Sequence, residues 1–149
     1  MRVADVIELI EAWYPPHRAE DWDAVGLVCG DPDAEVRTVL LAVDPVLAVA
    51  DEAVQLGADL LIVHHPLYLK GTTTVAASTP KGRVVHRLLA AGCGLLTAHT
   101  NADSPTAGVS AAIASALGLL DVVPLDPDPL NPRDRKSTRL NSSHELKSR

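Results

Sequence analysis

The sequence predicts an α/β fold, a mostly parallel sheet with helices on both faces. Two observations predict it. The apolar runs "TVLLAV" (38–43), "ADLLIV" (58–63) and "GLLTA" (94–98) show no alternation of apolar and polar residues, as expected of strands covered on both sides. Segments with helical spacing separate them, which is the rhythm of strand–helix–strand units.

Each element has its own local reason. Val3, Val6, Ile7, Ile10 and Trp13 recur at helical spacing, and Pro15-Pro16 stops that helix. "VGLVCG" (25–30) reads as a short strand closed by a Gly-Asp-Pro turn. After the run 38–43, Asp44 is placed to cap a helix with Pro45 at its first position, and the helix continues to Gly57. Thr79-Pro80 opens the next helix, which ends near Gly92. An Ala-rich helix is expected over 106–117, followed by the apolar run "LLDVV". The domain reading is an α/β domain over 1–125. Residues 126–149 read as linker and solvated tail; "RKSTRLNSSH" within it also resembles translated adapter DNA.

Composition narrows the function classes. The chain has 149 residues, 47% of them apolar, no Phe and four aromatics, so its core must be aliphatic. No run reaches the roughly 18 apolar residues of a membrane span, and the acidic residues of the N-terminal segment are unlike a signal peptide. Cys29 and Cys93 lie in apolar segments and read as buried thiols of a cytoplasmic protein. Residues 1–132 carry seven basic and seventeen acidic side chains, against six and two in residues 133–149. An acidic body argues against nucleic acid as a partner, because phosphate-backbone binding needs a basic surface.

The polar groups of interest fall at the carboxyl ends of the three parallel runs, where ligands bind in such sheets. The first end gives Asp44, the second His64 and His65, the third His99, Asn101 and Asp103. Imidazole with carboxylate suits a divalent transition metal such as zinc, iron, manganese or nickel. Neighbours in a strand point to opposite faces, so His64 and His65 serve metal only if the chain turns just after the strand, one histidine to each of two ions. Two ions about 3.5–4 Å apart would activate water and clamp a phosphoryl or carbonyl oxygen. The alternatives are structural: His99 as a hydrogen-bonded strand-end residue, Asp44 and Asp103 as helix caps. His17 and His86 read as surface residues.

"EDWDAVGLVCGDPDAEV", "LLAVDP", "GADLLIVHHPLY" and "LLTAHTNADSPTAGVS", in this order, resemble the N-terminal part of the NIF-three-like dinuclear metal-centre proteins, also called GTP cyclohydrolase 1 type 2 homologues. The resemblance covers roughly 1–125. It implies two divalent metal ions, with His64, His65 and Asp103 as ligands and His99 and Asp44 lining the cleft. It also implies a ring-shaped homo-hexamer and a metal-dependent hydrolase of a nucleotide-like or other small substrate, the second reading being a non-enzymatic metal-binding or regulatory scaffold. Two departures stand out. Ala24 replaces the Asn usual after Trp-Asp, and the His and Glu that complete the family's site near its C-terminus have no counterpart. The resemblance therefore implies a truncated chain that binds metal weakly and without a stable dinuclear state.

Overall fold

The computed structural model describes residues 1–103, 107–123, 126–128 and 131–136. They divide into two compact units, residues 1–102 and 103–149. The first unit contains helix α1 (Val3–Trp13), a 3-10 turn (Pro16–Arg18), strands β1 (Gly26–Cys29) and β2 (Val39–Ala42), helix α2 (Leu47–Gln55), strand β3 (Leu60–Val63), helix α3 (Pro80–Ala90) and strand β4 (Gly94–Thr97). A short helix α4 (Thr100–Asp103) runs across the boundary. The second unit contains α5 (Val109–Ala116) and an antiparallel pair, β5 (Asp126–Asp128) with β6 (Asn131–Lys136).

The sheet of the first unit has the order β1-β4-β3-β2. The three apolar runs are parallel neighbours as expected, with Val39 to Ala42 opposite Leu60 to Val63 and Leu60 to Val63 opposite Gly94 to Thr97. β1 joins antiparallel on the other side of β4, so the sheet is mixed. Side chains of β3 and β4 divide between two cores. Leu61, Val63 and Leu95 pack with Ala50 and Ala53 of α2 and Val84, Val85 and Leu88 of α3. Leu60 and Leu96 pack with Val3 and Val6 of α1. Period-2 strands sandwiched between helices need both faces apolar, which is why these runs do not alternate.

β2 departs from that pattern. It is the edge strand, and its side chains alternate between exposed and half-buried, with Leu41 72% exposed. Leu40 and Ala42 pack on the α2–α3 side, whereas Leu41 lies on the face where α1 does not reach. An apolar run reports burial on both faces only where both layers extend over the strand.

The helix signals divide in the same way. Thr79 caps α3 as its sequence indicates, its hydroxyl accepting from Gly82 N at 3.0 Å with Pro80 at the first position. Gly82 is required there by close approach, since a Cβ would lie 2.0 Å from the Ala76 carbonyl oxygen. Asp44 does not cap α2. That helix starts at Leu47 with Val46 at the cap position and no side-chain cap, because the Asp44 carboxylate is held elsewhere. Asp103 likewise does not cap α5, whose cap position is Gly108, and the helix occupies 109–116 rather than 106–117. Part of the expected linker and the first residues of the expected tail, Arg135 and Lys136, are paired as β5 and β6, while residues 137–149 lie outside the described residues. His17 and His86 are exposed, as read.

Asp59, just before β3, fixes the entry to β2: one carboxylate oxygen accepts from Arg37 N and Thr38 N, both at 2.9 Å. These two backbone bonds hold its carboxyl below the ordinary 3.8. A carboxyl depressed in the folded state adds stability that is present above its unfolded pKa and lost as pH falls through the folded value. Asp59→Asn should therefore lower the urea midpoint at pH 7, and the gap from wild type should close as the pH is taken from 4.5 to below 3. A gap that persists unchanged to pH 3 would contradict this role.

Candidate metal centre

The parallel register decides where the site lies. β3 and β4 end in step, and the backbone continues the ladder briefly: His64 N donates to Ala42 O, His65 N to Val43 O and Ala98 N to Val63 O, at 3.2, 2.8 and 3.0 Å. The residues following the three parallel strands are thus brought to one edge of the sheet. The chain bends at His64–His65, which removes the opposite-face geometry of a regular strand. Their ring centroids lie 5.1 Å apart, and His99 comes within 5.1 Å of His64 and 5.6 Å of His65. One potential ligand atom from each of the three lies within 4.8 Å of the others.

Every ring is oriented by an oxygen on Nδ1. His64 Nδ1 lies 3.1 Å from Ala98 O, His65 Nδ1 2.7 Å from Asp44 Oδ1 and His99 Nδ1 2.9 Å from Asp23 Oδ1. A carbonyl or carboxylate oxygen only accepts, so Nδ1 must carry the proton in each case, and the neutral ring then has its lone pair on Nε2. Oxygen partners of this kind fix the tautomer and orientation of metal-ligating histidines and raise their basicity. The donor set fits a zinc-like ion, for which three imidazoles are an established ligand group.

The two carboxylates differ in environment. The Asp23 side chain is fully buried and that of His99 15% exposed, whereas the Asp44 and His65 side chains are 59% and 49% exposed. Asp23 accepts from His99 Nδ1, Ala24 N, Thr100 N and the Thr100 hydroxyl. Burial alone would push its carboxyl up, but the bonds from Thr100, His99 and Ala24 outweigh that and hold it below the ordinary value. Trp22 meets the His99 ring edge-on at 6.0 Å. Asn101 is 3% exposed and braces the loop, accepting from His99 N and donating to Tyr14 O at 2.9 and 2.7 Å.

Of the residues singled out in the sequence, His64, His65, His99 and Asp44 meet at this edge, with His99 an equal member of the cluster. Asp103 ends α4, is 4% exposed and belongs to the second unit. Asp23 and Thr100 were missed as site residues. The "WD" of "EDWDAVGL" was the only signal for Asp23.

The chain matches the family model described as Duf34/NIF3 (NGG1p interacting factor 3) over residues 1–148. It is 60% identical over 135 residues to the "GTP cyclohydrolase 1 type 2 homolog" of Streptomyces coelicolor, a match covering 91% of this chain and 47% of that protein. The homologue of the same description from Mycobacterium tuberculosis is 57% identical over 129 residues, covering 87% of this chain and 34% of that one. The chain thus spans half or less of these relatives' length. Among solved structures, a Bacillus cereus protein related to NIF3 superposes with a TM-score of 0.80 at 35% identity, covering 86% of this chain and 36% of that one. A Staphylococcus aureus protein gives the same TM-score and coverages at 37% identity.

The contrast between the carboxylates is measurable. Asp23→Asn turns one of two buried acceptor oxygens, each of which serves two donors, into an NH2 group that faces donors, and should cost about 1.5–3 kcal/mol in urea unfolding at pH 7. Asp44→Asn acts at an exposed pair and should cost less than about 1 kcal/mol. Equal losses would contradict the assigned environments.

Proposed function

The chain belongs to the Duf34/NIF3 family, and from that membership and its histidine cluster we propose that it holds a divalent transition metal on His64, His65 and His99. The observation that carries the reading is the convergence of three imidazoles, each with Nδ1 committed to an oxygen acceptor. An ion bound there supplies Lewis acidity toward water and toward a substrate oxygen. The chain's own residues set the terms: Asp23 locks His99 from the buried side, Asp44 orients His65 on the open side, and the Ala98 carbonyl fixes His64.

The reaction we propose is metal-dependent hydrolysis of a small, nucleotide-like substrate, in keeping with the description of the relatives as GTP cyclohydrolase homologues. Solvent access to His65 and Asp44 gives a substrate its approach. Neither cysteine is suited to act as nucleophile: burial raises Cys93 to about 11 and also raises Cys29. A second ion with Asp103 among its ligands, and assembly into a hexamer, belong to the same proposal for the longer proteins of this family.

Titrating the metal-free chain with cobalt(II) and zinc(II), followed by metal analysis after dialysis, tests the reading. One ion per chain is expected, with a loss of at least ~100-fold in affinity for His65→Ala and for His99→Ala, since two imidazoles are short of the ligand number of a zinc site. Unchanged affinity in His99→Ala, or no binding by the wild type, would contradict it. Turnover lost on chelation would favour the hydrolase; metal binding without turnover would favour the non-enzymatic scaffold.

A further inference from the structure

Beside the histidine cluster lies a cavity of about 410 Å³ between the loop preceding α2, the loop following β3 and the first turn of α3. This is within the range of small-molecule pockets. Leu47, Leu67 and Val84 give it apolar walls, and His65 and Asp44 stand at one side, so the cavity and the cluster share the same pair. Lys81 and Arg83 supply the other charge.

Those two cations differ from the chain's ion-paired arginines. Residues 1–132 are strongly acidic, and Arg2, Arg37 and Arg87 are each paired with a carboxylate at 2.6–3.2 Å. Among the described residues no carboxylate pairs with Lys81 or Arg83. Lys81 is instead held over the Tyr68 ring, its Nζ 5.4 Å from the centroid, which positions the ammonium without neutralising it. Asp44, the one acid lining the cavity, has Oδ1 bonded to His65 Nδ1. Positive charge is thus placed beside apolar walls, a combination that suits an anion with an apolar body.

We propose that this cavity is the substrate pocket of the histidine site and takes a phosphomonoester with an apolar, ring-sized body. Lys81 and Arg83 hold the phosphate, and Leu47, Leu67 and Val84 receive the ring. A phosphomonoester carries nearly two negative charges at pH 7, which two cations match, and a guanidinium grips phosphate oxygens in a fork. The pocket's link to catalysis rests on the metal reading above, but its occupancy does not.

Calorimetric titration of the metal-free full chain at low salt tests the proposal, with phenyl phosphate, inorganic phosphate and benzyl alcohol as probes. Phenyl phosphate should bind at least ~10-fold more tightly than either of the others, because it alone engages both halves of the pocket. Lys81→Ala and Arg83→Ala should each weaken it about 10-fold, with Arg83→Lys intermediate. Both side chains are exposed, so thermal melts should show the variants folded. Equal binding of phenyl and inorganic phosphate, or wild-type affinity in the double variant, would overturn the pocket. Phenyl phosphate binding by a chain that takes up no metal would retain the pocket and remove the metal reading; metal uptake without phenyl phosphate binding would do the reverse.

Discussion

The parallel register of β2, β3 and β4 is the constraint on which the site depends. With Ala42 opposite Val63 and Val63 opposite Thr97, the next residues of all three strands emerge at one edge. That register is held by side chains facing two ways: Leu60 and Leu96 toward α1, Leu61 and Leu95 toward α2 and α3, each at most 1% exposed. A slip by one residue would exchange the two faces of a strand and separate His64 and His65 from Ala98 and Asp44. The core and the cluster are therefore consequences of the same alignment.

Alignment brings the imidazoles together, and oxygen acceptors decide which nitrogen they offer. The three anchors are graded in burial, from the enclosed Asp23 through the backbone carbonyl of Ala98 to the exposed Asp44. Asp23 stands in a shell of four donors that keeps it ionised despite burial, so His99 is fixed by a charge that could not be buried there without them. The open end at His65 and Asp44 is the side shared with the cation-lined cavity.

Much of the fold was legible because it follows from short-range signals. Unbroken apolar runs gave β2, β3 and β4, and Thr79-Pro80 gave the start of α3. Asp44 carries two local readings, a helix cap because Asp before Pro is a capping pattern and a cleft residue because it follows a parallel strand. Its actual partner, His65, is 21 residues away and carries no local signal. Asp23 was harder still: its hydrogen-bond donors His99 and Thr100 lie 76 and 77 residues on, and it sits in a loop with no periodicity. The exposure of Leu41 was hidden for a related reason, since an edge strand and a central strand can carry the same apolar run. The histidine pair was legible as a candidate, whereas its convergence with His99 depended on a bend after β3 that the sequence only allowed.

The sheet edge presents three histidines with Nδ1 against oxygen acceptors, an arrangement that makes each neutral ring the Nδ1–H tautomer and, in the proposed reading, gives Nε2 to the metal. Long-range nitrogen–proton correlation NMR on the metal-free chain, with the ring nitrogens labelled, reads this directly. The account predicts the Nδ1–H form for His64, His65 and His99 alike, and a shift of the Nε2 resonances alone when zinc is added. Nε2–H tautomers in the metal-free rings, or zinc shifting Nδ1 in place of Nε2, would contradict it.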